Sequence, residues 1–428
     1  MALTDKLKAI ADAIRAKTGK SDTITLAEMP TEIENISTGG GGSAVTVQRK
    51  DVNFVDYDGT LLYSYTIAET KALTEMPPLP TRDGLVCQGW NYELEQIKQY
   101  DRTLDVGTSY ITDDGKTRLY ITIAAEGRME VPLYFSQTVD SGVAIDWGDG
   151  SNIERINQTG KVKTTHIYSG VGSYIISLDV ADDCEFVLGH ESSSFCVLGA
   201  TTSSGKVYTN MLRKVEIGKK IKNISSYAFS GCYSLSSIII SQGVTSIGSY
   251  AFFNCYSLSN IIIPQGVTSI GSYAFRSCSS LSSIIIPESV TSIKEYTFHS
   301  CYSLSSIIIP ESVTSIKEYT FHSCSSLSSI IISQGVTSIG SYAFYNCSSL
   351  SNIIIPQSVA KIESLAFSLC SGMYFYDFTR HTAVPNLSAS NAFNNIPSDC
   401  EIRVPSELID EWKSATNWSG FAENIVAR

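Results

Sequence analysis

The sequence lacks several features that would place it in a large functional class. No stretch approaches about 18 consecutive apolar residues, so no membrane-spanning helix and no membrane insertion is predicted. The first twenty residues, MALTDKLKAIADAIRAKTGK, contain no continuous apolar run of the kind found in secretion signals. With 42 acidic against 31 basic residues, the net charge is -11, which argues against a nucleic-acid partner.

Recognisable catalytic and metal-binding motifs are also missing. There is no Cys-x-x-Cys pair to suggest a zinc site, no Ser/His/Asp or Cys/His set and no phosphate-binding loop. The cysteine count, 11, is odd, which argues against a complete disulfide framework. The sequence therefore predicts no enzyme, no cofactor and no metal, and it leaves open the state of Cys87, Cys184, Cys196 and Cys400.

A 23-residue repeat fills the stretch from Leu212 to Cys370. One unit contains Leu258, Ile261, Ile263 and Phe275, and the next unit begins at Leu281. Cysteines recur at the same interval, at Cys232, Cys255, Cys278, Cys301, Cys324, Cys347 and Cys370. A fixed period of this length with an L-x-x-I-x-I core indicates a leucine-rich-repeat solenoid, in which neighbouring coils share one buried interior. The repeated cysteines are interpreted as small buried hydrophobic residues, because side chains one rung apart are too distant for a disulfide.

The isoleucine triplets have two faces. Leu258, Ile261 and Ile263 alternate, so they should point into the coil, while the middle isoleucine points outward. The middle positions are Ile239, Ile262, Ile285, Ile308, Ile331 and Ile354. This ladder is expected to be exposed; it reflects either the preference of isoleucine for strands or an apolar contact surface for a partner or a neighbouring subunit.

Two positions of the repeat vary, whereas the core positions do not. The position after each phenylalanine and the position after each cysteine carry large aromatic or charged residues, which dominate binding hot spots. The ligand-binding residues predicted on this basis are Phe253, Tyr256, Arg276, His299, Tyr302, His322 and Tyr345. The alternative is sequence drift at solvated positions.

Units such as IIIPQGVTSIGSYAFFNCYSL resemble the BspA-like leucine-rich-repeat family of bacterial and phage surface proteins. The resemblance covers about 160 residues. It implies adhesion or binding to a glycan or protein on a host cell surface, and it implies no enzymatic activity.

The N-terminal residues predict an attachment segment. Leu3, Leu7, Ile10 and Ile14 lie at heptad spacing within residues 1–38, and GGGGS within residues 39–44 is a flexible linker. This segment resembles the N-terminal module of phage tail and tail-fibre proteins, which implies attachment to tail, baseplate or particle proteins, or homo-oligomerisation. The alternative is a helical hairpin packed on its own chain.

Residues 45–106 resemble the small β-grasp repeat of bacterial surface adhesins. The matching residues are Pro77, Pro80, Thr81, Arg82, Gly84, Gly89 and Trp90. The same stretch contains VNFVDYDGTLL, which fits the first motif of haloacid-dehalogenase-type phosphatases, with Asp56 as nucleophile, Asp58 as acid/base and Thr60 as a phosphate contact. That fold needs alternating helices and parallel strands, which the following residues do not predict, and a D-G hairpin turn is the simpler interpretation.

Residues 107–190 resemble a PKD-type β-sandwich. The motif Trp147-Gly148-Asp149-Gly150, followed by His166 and Tyr168, carries the match, and Trp147 is expected to fill the core between two sheets. Asp146 and Asp149 are weighed as calcium ligands, but two carboxylates fall short of the six to eight oxygens that calcium takes.

The predicted architecture is thus multidomain and mainly β. A leucine-rich-repeat solenoid (residues 191–372) follows the N-terminal helical segment and the two small β domains, which are expected to act as a stalk, and residues 373–428 form a C-terminal capping unit. The predicted function is that of a phage tail-associated or tail-like receptor-binding or adhesion protein located in a virion or extracellular particle. A bacterial cell-surface adhesin is the alternative, and a phosphatase is a remote one.

Overall fold

The computed structural model describes residues 48–428 apart from 57–59, 100–102, 113, 127–128, 191–194 and 201–205. The predicted N-terminal helical segment (1–38) and glycine-rich linker (39–44) lie outside the described residues. Residues 51–428 form one compact unit. It is mainly β, with 7% helix and a solenoid of about nine turns, as predicted. Among the described residues, no helix is long and apolar enough to cross a bilayer.

The first part of this unit is a four-stranded mixed sheet with two short helices. Its elements are β1 (Val52–Val55), β2 (Leu61–Tyr65), α1 (Ile67–Lys71), β3 (Leu85–Trp90), α2 (Leu94–Lys98) and β4 (Leu104–Thr112). The strand order is β2-β1-β4-β3, and β1 and β4 are parallel. Phe54 packs edge-to-face on Trp90 at 5.0 Å, and the Trp90 indole donates a hydrogen bond to the Pro77 carbonyl at 2.7 Å. We call residues 51–112 the first module; its last strand continues past residue 106.

Two facing antiparallel sheets follow. Their strands are β5 (Thr117–Ile123), β6 (Glu130–Gln137), β7 (Val143–Asp146), β8 (Glu154–Arg155), β9 (Gly160–Ile167), β10 (Gly172–Val180) and β11 (Phe186–Leu188). One sheet contains β5-β10-β7-β8 and the other β11-β6-β9. Trp147 is buried in the core that they share. A hairpin of β12 (Phe195–Cys196) and β13 (Gly199–Ala200) and the helical turn α3 (Lys206–Thr209) lead to the solenoid.

Two parallel ladders of strands build the solenoid. The first ladder contains β14 (Leu212–Ile217), β16 (Ser237–Ile240), β18 (Asn260–Ile262), β20 (Ser283–Ile285), β21 (Ser306–Ile309), β23 (Ser329–Ile332), β25 (Asn352–Ile354), β27 (Phe375–Asp377), β29 (Glu401–Val404) and β30 (Ile425–Ala427). The second contains β15 (Asn223–Ile224), β17 (Ser246–Ile247), β19 (Ser269–Ile270), β22 (Ser315–Ile316), β24 (Ser338–Ile339), β26 (Lys361–Ile362) and β28 (Asn386–Leu387). Ile307 pairs with Ile330 and Ile309 with Ile332, so neighbouring coils are offset by one sequence period and place identical residues over one another.

The solenoid interior consists of columns of identical side chains. The phenylalanine rings from Phe229 to Phe367 stack at 5.1–5.7 Å. Each cysteine thiol from Cys255 to Cys370 donates to the carbonyl of a phenylalanine in the preceding coil at 3.1–3.2 Å. All eleven cysteines are free, and all except the half-buried Cys87 are buried, which confirms the interpretation of the repeated cysteines.

The sandwich and the solenoid share one sheet. Strand β14 pairs antiparallel with β5 and parallel with β16, so six strands run continuously from β8 through the sandwich into the first coils. The expectation of a stalk is wrong for this domain. The reason is that the first coil has an open strand edge and an open apolar end, and the sandwich covers both.

The first module also packs on the solenoid and is not a stalk. Ile308 belongs to the same buried cluster as Phe54 and Trp90, with Ile285 and Ile331 at its margin. The Gln96 side chain donates to the Ile286 carbonyl at 2.8 Å. The expectation that the middle isoleucines are all exposed is therefore wrong: Ile308 is 7% exposed, whereas Ile354, beyond the module, is 51% exposed. The partner of this apolar surface is a domain of the same chain.

Aromatic residues close the other end of the stack. The cap contains β29, β30 and helix α4 (Ile409–Ser414), flanked by single 3-10 turns at Ser406–Leu408 and Ser419–Phe421. Trp412 and Trp418 are buried against one another at 4.7 Å, and the Trp418 indole donates to the Pro385 carbonyl at 2.8 Å. These side chains cover the last coil, as atypical terminal units of a solenoid must.

Candidate ligand-binding face

A turn of unusual backbone geometry places one aromatic residue outside each coil. In six coils the residue before the buried Ala-Phe or Thr-Phe pair is a tyrosine with a φ of 55–63°, in the left-handed region that costs an L-residue about 1–2 kcal/mol. In this conformation the tyrosine ring stays at the surface while the following phenylalanine enters the core. These residues are Tyr227, Tyr250, Tyr273, Tyr296, Tyr319 and Tyr342, and we call them the tyrosine ladder.

The tyrosine ladder is a continuous stack. Adjacent rings lie 4.5–4.7 Å apart and are inclined by only 5–7°. Because the faces of the rings cover one another, a ligand can reach only the edges and hydroxyl groups of the inner rings. Sequence reasoning missed this ladder, although the recurrence of Tyr at every coil from Tyr227 to Tyr342 was a signal comparable to that of the phenylalanines.

Five of the predicted binding residues form a second row beside this ladder. The variable row consists of Phe253, Arg276, His299, His322 and Tyr345, all half-buried. His299 and His322 stack at 4.5 Å with an angle of 1°, and His322 stacks on Tyr345 at 4.8 Å. The row ends where the equivalent residues become the small buried Ser230 and Ser368.

Arg276 is the cation of this row. Its guanidinium carbon lies 5.7 Å from the Phe253 ring centroid, 5.6 Å from that of Tyr273 and 6.0 Å from that of Tyr296. These distances are those of cation–π contacts. Its Nε atom is buried and makes no hydrogen bond within the described part of the chain.

The other two predicted residues, Tyr256 and Tyr302, lie three residues further along their own coils and are among the most exposed large side chains. Tyr256 is 44% and Tyr302 50% exposed. Tyr256 stacks on Tyr233 at 5.1 Å, whereas the coils on either side of Tyr302 carry Ser279 and Ser325 at the equivalent position. Both faces of the Tyr302 ring are therefore flanked only by small residues.

Burial keeps the two histidines and Tyr296 of this face neutral near pH 7. Burial, together with the positive charges of His322 and Arg276, lowers the pKa of His299 to about 4. Burial likewise lowers the pKa of His322. Burial, and then the neighbouring Tyr319, raises the pKa of Tyr296 to about 12. The face offers aromatic edges, neutral hydroxyl groups and a single guanidinium, an arrangement suited to binding.

The phosphatase-like motif has a structural explanation in the first module. The Asp56 carboxylate is buried; it accepts a hydrogen bond from Arg82 Nε at 3.0 Å and one from the Tyr110 hydroxyl at 2.9 Å. The Thr60 carbonyl accepts a hydrogen bond from the Asp56 amide at 2.8 Å, which closes the turn between β1 and β2. Asp58 lies outside the described residues. The sheet around Asp56 is a small mixed one, with β1 hydrogen-bonded to β2 and β4.

The two aspartates weighed as calcium ligands stabilise a turn. Asp146 accepts from the Gly148 amide at 2.9 Å and Asp149 from the Ser151 amide at 3.0 Å. The second Asp149 oxygen lies 2.7 Å from His166 Nε2. Burial opposes ionisation, but these bonds from Ser151 and His166 outweigh it and lower the pKa of Asp149 to about 2. Over the residues that the structure describes, no three His, Cys, Asp or Glu side chains are grouped to hold a metal ion.

A separate cleft of about 520 Å³ lies where the first module meets the solenoid. Ile331 and Ile354 are among the residues on its apolar side, and Lys71, Lys98 and Arg380 supply cations at its margin. Lys98 is paired with Glu95 at 2.8 Å. None of the predicted binding residues lines this cleft.

Comparison with known proteins identifies the repeat region. Residues 204–316 and 291–413 match the BspA type leucine rich repeat region, in 6 copies. No curated protein matches the chain. The repeat region is therefore a BspA-type leucine-rich-repeat region, as the resemblance of the repeated units implied.

Several solved structures share part of this region. A leucine-rich repeat protein of T. pallidum is 29% identical and matches over 32% of this chain and 64% of its own length, with a TM-score of 0.30. A leucine-rich repeat protein from Eubacterium ventriosum is 31% identical and matches over 37% of this chain and 42% of its own length, with a TM-score of 0.34. A leucine rich cell surface protein from Faecalibacterium prausnitzii is 25% identical and matches over 50% of this chain and 64% of its own length, with a TM-score of 0.32. The chain thus spans less than two thirds of each of these proteins.

Proposed function

We propose that this BspA-type repeat protein is a non-enzymatic recognition protein that acts at a cell surface or on an extracellular particle. Its ligand, a glycan or a protein of a host surface, binds the variable row together with Tyr256 and Tyr302. The observation that carries the proposal is the contrast between rows: the coils keep the same interior, yet the row Phe253, Arg276, His299, His322 and Tyr345 differs at nearly every rung.

The physical properties of the row support this proposal. Aromatic and arginine side chains provide large contact areas and dominate binding energy in protein interfaces. Here they are held by the stacking of His299 on His322 and of His322 on Tyr345. A ligand therefore meets a preorganised surface, and little conformational entropy is lost when it binds.

The test is a fourfold replacement on the row. The variant Phe253→Ser, Arg276→Ser, His299→Ser and Tyr345→Ser is compared with the unaltered protein on arrays of glycans and matrix glycoproteins and on intact cells. We expect binding to fall at least tenfold. The matched control replaces four exposed threonines on another side of the same coils by serine: Thr245, Thr268, Thr291 and Thr314. Full binding by the folded fourfold variant would overturn the assignment of the row.

The proposed location is a phage tail or tail-like particle, with a bacterial cell surface as the alternative. The tail location is supported by the resemblance of residues 1–38 to tail attachment modules, through which the chain would join tail or baseplate proteins or its own copies. A surface location is supported by the BspA-type repeats, which occur in cell-surface and extracellular proteins. Fractionation of producing cells distinguishes them: the protein either bands with particles in a density gradient or remains with the cell wall.

A further inference from the structure

Arg276 differs from three other arginines of the chain that are paired with a carboxylate. Arg82 is paired with Asp56, Arg118 with Asp114 and Arg403 with Glu401. Arg276 has no carboxylate within 4.0 Å among the described residues, and its buried Nε has no acceptor. A buried donor without a partner costs about 1–3 kcal/mol. Because Nε is buried, an anionic ligand group would meet the guanidinium through its two terminal nitrogens.

The surroundings of Arg276 leave its charge uncompensated. The next two coils carry acidic residues directly before their ladder tyrosines, at Glu295 and Glu318, but each directly follows a lysine, Lys294 or Lys317. Glu295 is also engaged by the Ser272 hydroxyl at 2.5 Å. Three aromatic rings lie within cation–π distance of the guanidinium, and its charge-assisted hydrogen bonds to an anion are stronger than those between neutral groups.

The coil that carries Arg276 also carries a notch. Its outer position is Ser279, whereas the coils on either side present Tyr256 and Tyr302. With rungs about 4.8 Å apart, these two rings are separated by roughly 9.6 Å. A ring inserted midway would lie about 4.8 Å from each tyrosine, within the distances at which stacked rings are in contact.

The chemistry around the notch favours a sugar. Its walls are aromatic, and the tyrosine hydroxyls are neutral groups that both donate and accept hydrogen bonds. The Ser279 hydroxyl donates to the Tyr256 carbonyl at 3.3 Å and can still accept a hydrogen bond. Sugar rings present apolar C–H faces and hydroxyl groups to such a surface. Only Arg276 adds a charge, and its planar guanidinium can bind a carboxylate or a sulfate through two parallel hydrogen bonds.

We propose that the notch at Ser279, together with Arg276, binds an oligosaccharide that carries one anionic group, a carboxylate or a sulfate ester. This inference rests on the proposed function and names its ligand class. Arg276 selects the anion, and Tyr256 and Tyr302 hold the neighbouring sugar ring.

The experiment uses the full-length protein and three related probes: lactose, sialyllactose and lactose bearing a sulfate ester. We expect at least tenfold tighter binding of one or both acidic probes than of lactose, by calorimetry or biolayer interferometry. Preference for the sialylated probe, for the sulfated probe or for both identifies the source of the anion, and each supports the proposal. Equal affinity for the three probes, or no binding of any of them, overturns it.

Variants separate the anion contact from folding. Arg276→Gln should abolish the preference for acidic probes, whereas Arg276→Lys should retain part of the preference as a point charge. Arg213→Gln, an exposed position on β14 of the same solenoid, is the matched control and should change nothing. Arg276→Gln with an intact preference overturns the proposal.

The outcome is distinguishable from failure of the proposed function. Suppose that the protein binds a neutral glycan or a protein on the array and that the fourfold variant does not. The recognition function would then stand, and the inference about an anionic ligand would fail. If binding to the array and binding to the three probes are both unaffected by changes in the variable row, the proposed function and the anion inference fail together.

Discussion

At the residue scale, the same left-handed turn repeated in successive coils determines which side chains are buried and which are offered to a ligand. A second left-handed residue follows in most coils, for example Ser277 at a φ of 61° and Ser300 at 60°. Two such residues reverse the chain within the turn, so that Phe275 and Cys278 are buried while Arg276 and Ser279 are at the surface. The composition of the face can therefore change without disturbing the core.

The histidines of the variable row predict a pH dependence of stability. An unfolded histidine has a pKa of about 6.5, whereas that of His299 in the fold is about 4. Between these values the unfolded chain binds more protons than the folded chain. The contribution of His299 to the free energy of unfolding is therefore complete above pH 6.5 and decreases as the pH falls towards 4.

The measurement is the denaturation midpoint of the unaltered protein and of His299→Gln at intervals from pH 7.5 to pH 4. The midpoint of the unaltered protein should fall relative to that of His299→Gln as the pH decreases, because only the unaltered protein carries the group whose protonation opposes folding. The carboxylates titrate in both proteins and cancel in the difference. Parallel curves over the whole interval would contradict the prediction.

The buried positions of the repeat could be predicted from sequence. The recurrence of the tyrosines is visible there too, but the surface position and the stacking of their rings are not. Ile261, Ile263, Phe275 and Cys278 follow from period-2 alternation and from the need to fill a shared interior. Tyr273 falls between these patterns, because its place at the surface depends on a left-handed backbone that tyrosine rarely adopts.

At the element scale, the first module and the solenoid are joined by a small apolar contact. Ile308 is buried beneath the cluster of Phe54 and Trp90, and the Gln96 side chain adds a buried hydrogen bond to the Ile286 carbonyl. Sequence could not predict this contact. The middle isoleucine is the same in every coil, so nothing local distinguishes the covered rungs from Ile354.

We predict that Ile308→Glu releases the first module from the solenoid. A carboxylate beneath Phe54 and Trp90 would be desolvated without a partner, which costs about 3–5 kcal/mol. Hydrogen exchange should then show faster exchange in β1 and α2, with the solenoid coils unchanged. Ile354→Glu lies at the same position of the repeat but outside this buried cluster, at a half-exposed residue of the cleft margin, and should leave β1 and α2 protected. Equal protection of the module in the two variants would refute the docking contact.

At the scale of the whole molecule, the sandwich, the solenoid and the cap form one hydrophobic cluster. The sandwich joins it through the pairing of β5 with β14, which the sequence did not predict because each domain carries its own local motifs. In a stack of coils, each coil is stabilised only by its own interactions and by contacts with its immediate neighbours. Disturbance at one end should therefore spread from that end.

Substitutions at the two ends test this property. Trp147→Ala should remove about 3–5 kcal/mol and increase hydrogen exchange in β14 and β16, while the last coils stay protected. Trp412→Ala should do the reverse, with faster exchange in β27, β29 and β30. Unchanged protection of β14 in Trp147→Ala would mean that the sandwich and the solenoid are energetically independent.

The strict register of the coils has a genetic consequence. Ser306 lies beside Ser329 and Ile307 beside Ile330, residue for residue, so an in-frame duplication or loss of one repeat would recreate the same junction between its neighbours. Unequal recombination within such a gene would lengthen or shorten the recognition surface one rung at a time, and point mutation would then diversify the added rung. Natural variants of this protein are expected to differ in coil number by whole units and to keep both ends intact.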